Sequence, residues 1–89
     1  MNTIIYNNTE NKIEHVCFSA TLVDNIYKVY NTAEEDHWIL PNASDYTIIN
    51  DVELPTDYFD GDVQTDGVWN TIYTYTFNPE SKEFTKVMA

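Results

Sequence analysis

Hydrophobic and polar positions alternate along most of this chain, and the alternation predicts strands rather than helices. In residues 12–22, Val16, Phe18, Ala20 and Leu22 fall on one side, and His15, Cys17, Ser19 and Thr21 on the other. That is the period-two signature of a half-buried strand. Residues 3–6 predict a first strand, closed by the polar turn Asn7-Asn8-Thr9-Glu10-Asn11, whose residue types tolerate left-handed backbone. Residues 26–30 predict a third strand after Asp24-Asn25. Residues 37–40 are short and apolar and stop at Pro41. Residues 45–50 and 52–54 read as extended, the second ending at Pro55. Residues 56–67 are acidic and turn-rich and read as an exposed loop.

The strongest signal closes the chain. From Val68 to Phe77 nearly every residue is β-branched or aromatic, the types that fit a pleated, half-buried surface. Trp69, Thr71, Tyr73, Tyr75 and Phe77 share one face. Asn78-Pro79-Glu80-Ser81 breaks the run, because proline cannot sit in a central ladder, and residues 83–87 return. This hairpin is expected to supply the central strand and its partner. Its aromatic face is either core or interface. The only plausible helical turn is residues 31–36, where Thr32 and Glu35 have capping-box spacing; a loop fits that stretch as well.

Strands at short, regular spacing imply an all-β chain. The expectation is one domain spanning residues 1–89, a small sandwich or barrel of five to seven short antiparallel strands built from hairpins. The hairpin at residues 6–16 aligns without gaps on residues 77–87, with Asn7 on Asn78, Ile13 on Phe84 and Val16 on Val87. Two hairpins obeying one set of turn rules explain that match without duplication. The chain is 43% hydrophobic and 15% aromatic, too apolar to stay disordered.

Charge narrows the partners. Fifteen acids face four lysines and no arginine, a net charge of −11. Between residues 29 and 81 there are eleven acids and no base. Such a chain has almost nothing with which to neutralise phosphates, so neither nucleic acid nor an anionic membrane is expected as a partner. A larger protein with a basic surface is. Self-association into a homo-oligomer stays open. The opening residues lack a basic n-region and no apolar run approaches membrane-spanning length, so an intracellular site of synthesis is the simplest reading. Cys17 is alone, which excludes an internal disulfide.

No constellation points to catalysis. Asp57, Asp60, Asp62 and Asp66 surround Gly61 and Gly67, but the spacing departs from a calcium loop, with Thr71 where the closing glutamate should stand. His37 beside Glu34, Glu35 and Asp36 has no second ligand at paired spacing. Cys17 carries no local nucleophile signature. The expectation is therefore no enzyme, no cofactor and no metal. Tyr58 and Phe59 are adjacent aromatics within acidic sequence. Both cannot be buried in an ordinary loop, so they are candidate contact residues together with Asp60, Asp62, Asp66 and Trp69 at the entrance to the closing run.

The segment Glu53-Leu54-Pro55-Thr56-Asp57-Tyr58-Phe59-Asp60-Gly61, followed by Ile72-Tyr73-Thr74-Tyr75-Thr76-Phe77 and the return Lys82-Glu83-Phe84, resembles small bacteriophage proteins. The opening Ile4-Ile5-Tyr6-Asn7 with Lys12-Ile13 is similar to their first hairpin. Members of that group are often virion accessory proteins of the tail or capsid. The resemblance implies a structural virion component docking on a larger capsid or tail protein, synthesised in the host cytoplasm. The charge implies a second possibility, an inhibitor acting in the host cytoplasm that mimics nucleic acid or blocks a basic groove of a host enzyme.

Overall fold

The computed structural model describes residues 1–34 and 36–89, and they are all-β: ten strands in four small antiparallel sheets, with no closed barrel. The chain falls into two compact units, Met1–Glu53 and Leu54–Ala89.

The first unit holds β1 (Asn2–Asn7), β2 (Lys12–Cys17), β3 (Ser19–Val23), β4 (Ile26–Tyr30), β5 (Trp38–Pro41) and β6 (Tyr46–Val52). They form two three-stranded sheets, β2-β1-β6 and β3-β4-β5. The central strand of the first sheet is β1. Thr3, Ile4, Ile5, Tyr6 and Asn7 are all buried, which is why this strand reads as a continuous apolar run without alternation. One core joins the two sheets. Ile5, Cys17, Val29 and Leu40 form its centre, and Ala20, Tyr27, Trp38, Tyr46 and Ile48 pack around them.

Residues 12–22 are two strands rather than one. The chain leaves the first sheet after Cys17 and enters the second at Ser19, with the Phe18 N–H donating to the Tyr30 carbonyl at 2.9 Å. Phe18 itself is exposed, and the buried side changes phase across it, so that Cys17 and Ala20 both meet the core. Alternation alone does not register a change of partner. Another phase change comes in β6, where Asp51 takes a left-handed φ of 56° beside a register shift against β1. That bulge turns Val52 inward, where it is fully buried.

Residues 31–34 are bends and not a helical turn. The Thr32 hydroxyl accepts from the Glu34 N–H at 3.2 Å; the capping pair Thr32–Glu35 involves Glu35, which lies outside the described residues. The 3₁₀ turn falls instead at Ala43–Asp45, after Pro41 and a left-handed Asn42.

The second unit holds β7 (Asp62–Thr65), β8 (Val68–Thr71), β9 (Tyr73–Asn78) and β10 (Glu83–Met88), paired as two hairpins, β7-β8 and β9-β10. Residues 56–67 are thus not loop throughout. Their second half is a strand, and Asp66 and Gly67, with φ of 51° and 79°, make the two-residue turn into β8. An Asp-Gly pair is among the strongest hairpin signals; the density of acids hides it. The closing run 68–77 divides at Ile72. Its N–H donates to the Gly61 carbonyl at 2.7 Å and its carbonyl accepts from the Ala89 N–H at 2.9 Å. The closing hairpin is therefore a two-stranded sheet of its own, and the central strand expected there is β1. Two long runs that each divide, together with the acidic strand β7, raise the number of strands from the expected five to seven to ten.

The two similar hairpins share one turn. Asn7 Oδ1 accepts from the N–H groups of Thr9 and Glu10, both at 2.9 Å, and Asn78 Oδ1 accepts from those of Glu80 and Ser81 at 2.9 and 3.3 Å. Asn11 and Lys82, each four residues after its asparagine, take left-handed φ of 55° and 60°. The asparagine side chain closes the turn in both, so the sequence match follows from turn chemistry.

Candidate functional site

The second unit has a small aromatic centre. Residues alternate along β9, so Tyr73, Tyr75 and Phe77 point to one side. Across the hairpin Phe77 faces Phe84 and Tyr75 faces Lys86. Tyr58 stacks on Tyr75 with centroids 6.0 Å apart and packs edge-on against Phe84 at 5.7 Å. Phe77 and Phe84 touch at 4.8 Å. Phe77 alone among the hydrophobic side chains of this unit is buried.

Asp57 fastens the segment before Gly61 to this hairpin. Its carboxylate accepts from the Tyr75 hydroxyl at 2.5 Å and from Lys86 Nζ at 2.5 Å, and its carbonyl accepts from the Tyr73 hydroxyl at 2.6 Å. Lys86 Nζ also stands 4.2 Å from the Tyr73 ring centroid and 5.7 Å from that of Tyr75, over faces that attract a cation. The Lys86 and Tyr75 hydrogen bonds hold the Asp57 carboxyl below its ordinary range. The Asp57 carboxylate in turn raises Lys86 and Tyr75. Tyr73 is raised by desolvation and by the charges of Asp57 and Asp60.

Beside this fastening lies an open cleft of about 390 Å³, lined by Tyr58, Phe59, Gly61, Asp62, Tyr73 and Tyr75. Its rings are set at steep angles. Tyr58 and Phe59 cross at 87° with centroids 4.9 Å apart, and Tyr73 and Tyr75 at 81° and 5.7 Å. Asp62 stands on the rim, where its Oδ1 accepts from the Thr71 hydroxyl at 2.7 Å.

Three of the six residues singled out from sequence, Tyr58, Phe59 and Asp62, meet at this cleft. Tyr58 is half-buried and Phe59 is 75% exposed. Asp60 is exposed and its N–H donates to the Asp57 carbonyl at 3.1 Å. Asp66 sits at the tip of the β7–β8 hairpin and Trp69 on its second strand opposite Gln64, and neither lines the cleft. Every residue of β7 and β8 is exposed, Trp69 at 67% and Val68 at 60%. Asp57 and Lys86 escaped sequence reading because they lie 29 residues apart. The available signal was Lys86 facing Tyr75 in the predicted hairpin.

Among the described residues no group of three or more His, Cys, Asp or Glu side chains is placed to hold a metal ion. Cys17 is buried in the first unit, and burial pushes its thiol up to about 11, the opposite of an activated nucleophile. His37 lies against the Tyr30 ring at 5.3 Å. No helix is long and apolar enough to cross a membrane among the described residues. Compared with family models, curated proteins and solved structures, the chain matches none.

Proposed function

We propose that this chain is a non-enzymatic interaction protein, a small virion accessory component that docks on a larger capsid or tail protein through its second unit. The observation that carries the docking reading is the β7–β8 ribbon. It is exposed on both strands yet presents Val63, Val68 and Trp69. A two-stranded ribbon has little stability of its own in water, and this one exposes Val63 and Val68 on one face and Trp69 on the other. Tryptophan is a typical anchor of protein–protein contacts. The acidic span between residues 29 and 81 suits a basic partner and speeds encounter with it. The virion assignment rests on the resemblance of the Glu53–Gly61 segment and the two hairpins to small bacteriophage proteins.

The test is particle composition. Particles of the virus encoding this chain are purified by density gradient, and the chain is quantified against the major capsid protein. A fixed copy number that survives the gradient supports the proposal. Absence from the particles overturns the virion assignment.

A further inference from the structure

The cleft at Tyr58, Phe59, Gly61, Asp62, Tyr73 and Tyr75 has a chemistry more specific than an apolar patch. We propose that it receives an arginine side chain of the docking partner. The inference rests on the docking reading above and names what that partner must present.

Three observations converge on a cation. Paired rings crossing at 87° and 81° line the cleft, and aromatic faces carry negative potential. Asp62 stands on the rim with one oxygen bonded to Thr71 and the other taking no hydrogen bond among the described residues. Finally, the protein's own Lys86 stands over the Tyr73 and Tyr75 rings, so these rings already hold one cation. Lys86 is fixed to Asp57 and occupies the Tyr73 and Tyr75 rings, so a second cation is left the exposed Phe59 ring, Tyr58 and the Asp62 carboxylate of the lining. The chain has no arginine, and no basic residue between residues 29 and 81, that could fill the cleft from nearby sequence.

Arginine fits better than lysine. A planar guanidinium stacks on an aromatic face and offers paired N–H donors to a carboxylate, whereas an ammonium is a compact, strongly hydrated point charge. The Asp62 carboxylate of the lining also disfavours an anionic occupant.

The test is an NMR titration of the ¹⁵N-labelled full chain with the blocked peptide acetyl-Gly-Arg-Gly-amide, with the lysine and glutamate versions as comparisons. The expected result is saturable shifts at Tyr58, Gly61, Asp62 and Tyr73, tighter for arginine than for lysine and absent for glutamate. Phe59→Ala and Asp62→Asn change exposed side chains, and a retained amide spectrum establishes that each variant is folded. Phe59→Ala should weaken arginine binding by about two- to fivefold, the value of one exposed cation–π contact, and Asp62→Asn by up to about fivefold, the value of one exposed ion pair. Absent or non-saturating shifts, equal shifts with the glutamate peptide, or unchanged affinity in both variants would overturn the proposal. The titration uses no partner protein, so its failure removes the arginine assignment alone; the docking reading fails separately, on particle composition.

Discussion

Replacing Gly61 by alanine tests how the second unit is built. Gly61 is buried, and a Cβ there would overlap the Tyr73 carbonyl oxygen and stand 3.3 Å from two carbons of the Tyr73 ring. Neither can yield alone. The carbonyl belongs to β9, and the ring is held by its hydroxyl on Asp57. The segment carrying Gly61 has to move, and with it the hydrogen bond from the Ile72 N–H to the Gly61 carbonyl. Overpacking of this kind costs about 1–3 kcal/mol, and loss of the backbone bond adds about 1 kcal/mol. The total of about 2–4 kcal/mol is a large share of the roughly 4–13 kcal/mol expected for 89 residues. Gly67→Ala is the control. Nothing lies within 4 Å of its Cβ, so only the left-handed φ of 79° opposes the substitution, at about 1–2 kcal/mol. Urea unfolding followed by near-ultraviolet circular dichroism, which reports the packed tyrosines, measures both. If Gly61→Ala unfolds within about 0.5 kcal/mol of the parent, the typical scatter of neutral surface changes, or costs less than Gly67→Ala, the packing argument is wrong.

Other consequences concern charge and the thiol. The Asp57 carboxyl is lowered in the folded chain, so its contribution is present above the ordinary carboxylate pKa and is lost as pH falls through the lowered value. Lys86, Tyr73 and Tyr75 are raised, so theirs is present below their ordinary values and lost as pH rises through the raised ones. The thermal midpoint should thus be level from about pH 5 to 9 and fall on both sides; Asp57→Asn should lower the plateau and flatten the acid limb, and an unchanged acid limb would contradict the assignment. Cys17, pushed up to about 11 by burial, should resist a thiol-specific disulfide reagent at pH 8 and react at once in denaturant. Rapid reaction of the native chain would mean that the core around Ile5 and Val29 opens.

The all-β class was legible because alternation and turn residues act locally. The Asn7 and Asn78 turns could be matched by eye, since each asparagine side chain closes its own turn. What alternation could not reveal was where the chain changes partner. Phe18 and Ile72 sit inside runs that look uniform, yet at each the chain passes from one sheet to another. The buried phase changes at Phe18, because the side that faces the core depends on the new neighbour. The strand β7 was hidden for a different reason. Acids normally mark loops, but Asp62 and Asp66 stand on an exposed ribbon where charge carries no burial cost. Tyr58, Phe59 and Asp62 could be singled out because adjacent aromatics in acidic sequence are unusual. Their meeting with Tyr73 and Tyr75 could not, because it depends on Asp57 reaching Lys86 across 29 residues.

If, as proposed, the exposed β7–β8 ribbon docks this chain on a larger assembly, its exposed side chains decide incorporation. The most direct measurement is incorporation of the parent chain and of a Val68→Ser, Trp69→Ser double variant into purified particles, scored as copies per capsid protein. Both replaced side chains are exposed, so the variant keeps its fold, and an unchanged circular dichroism spectrum establishes that. A fixed copy number is expected for the parent and background for the variant. Equal incorporation of the two, or none of the parent, would contradict the docking proposal.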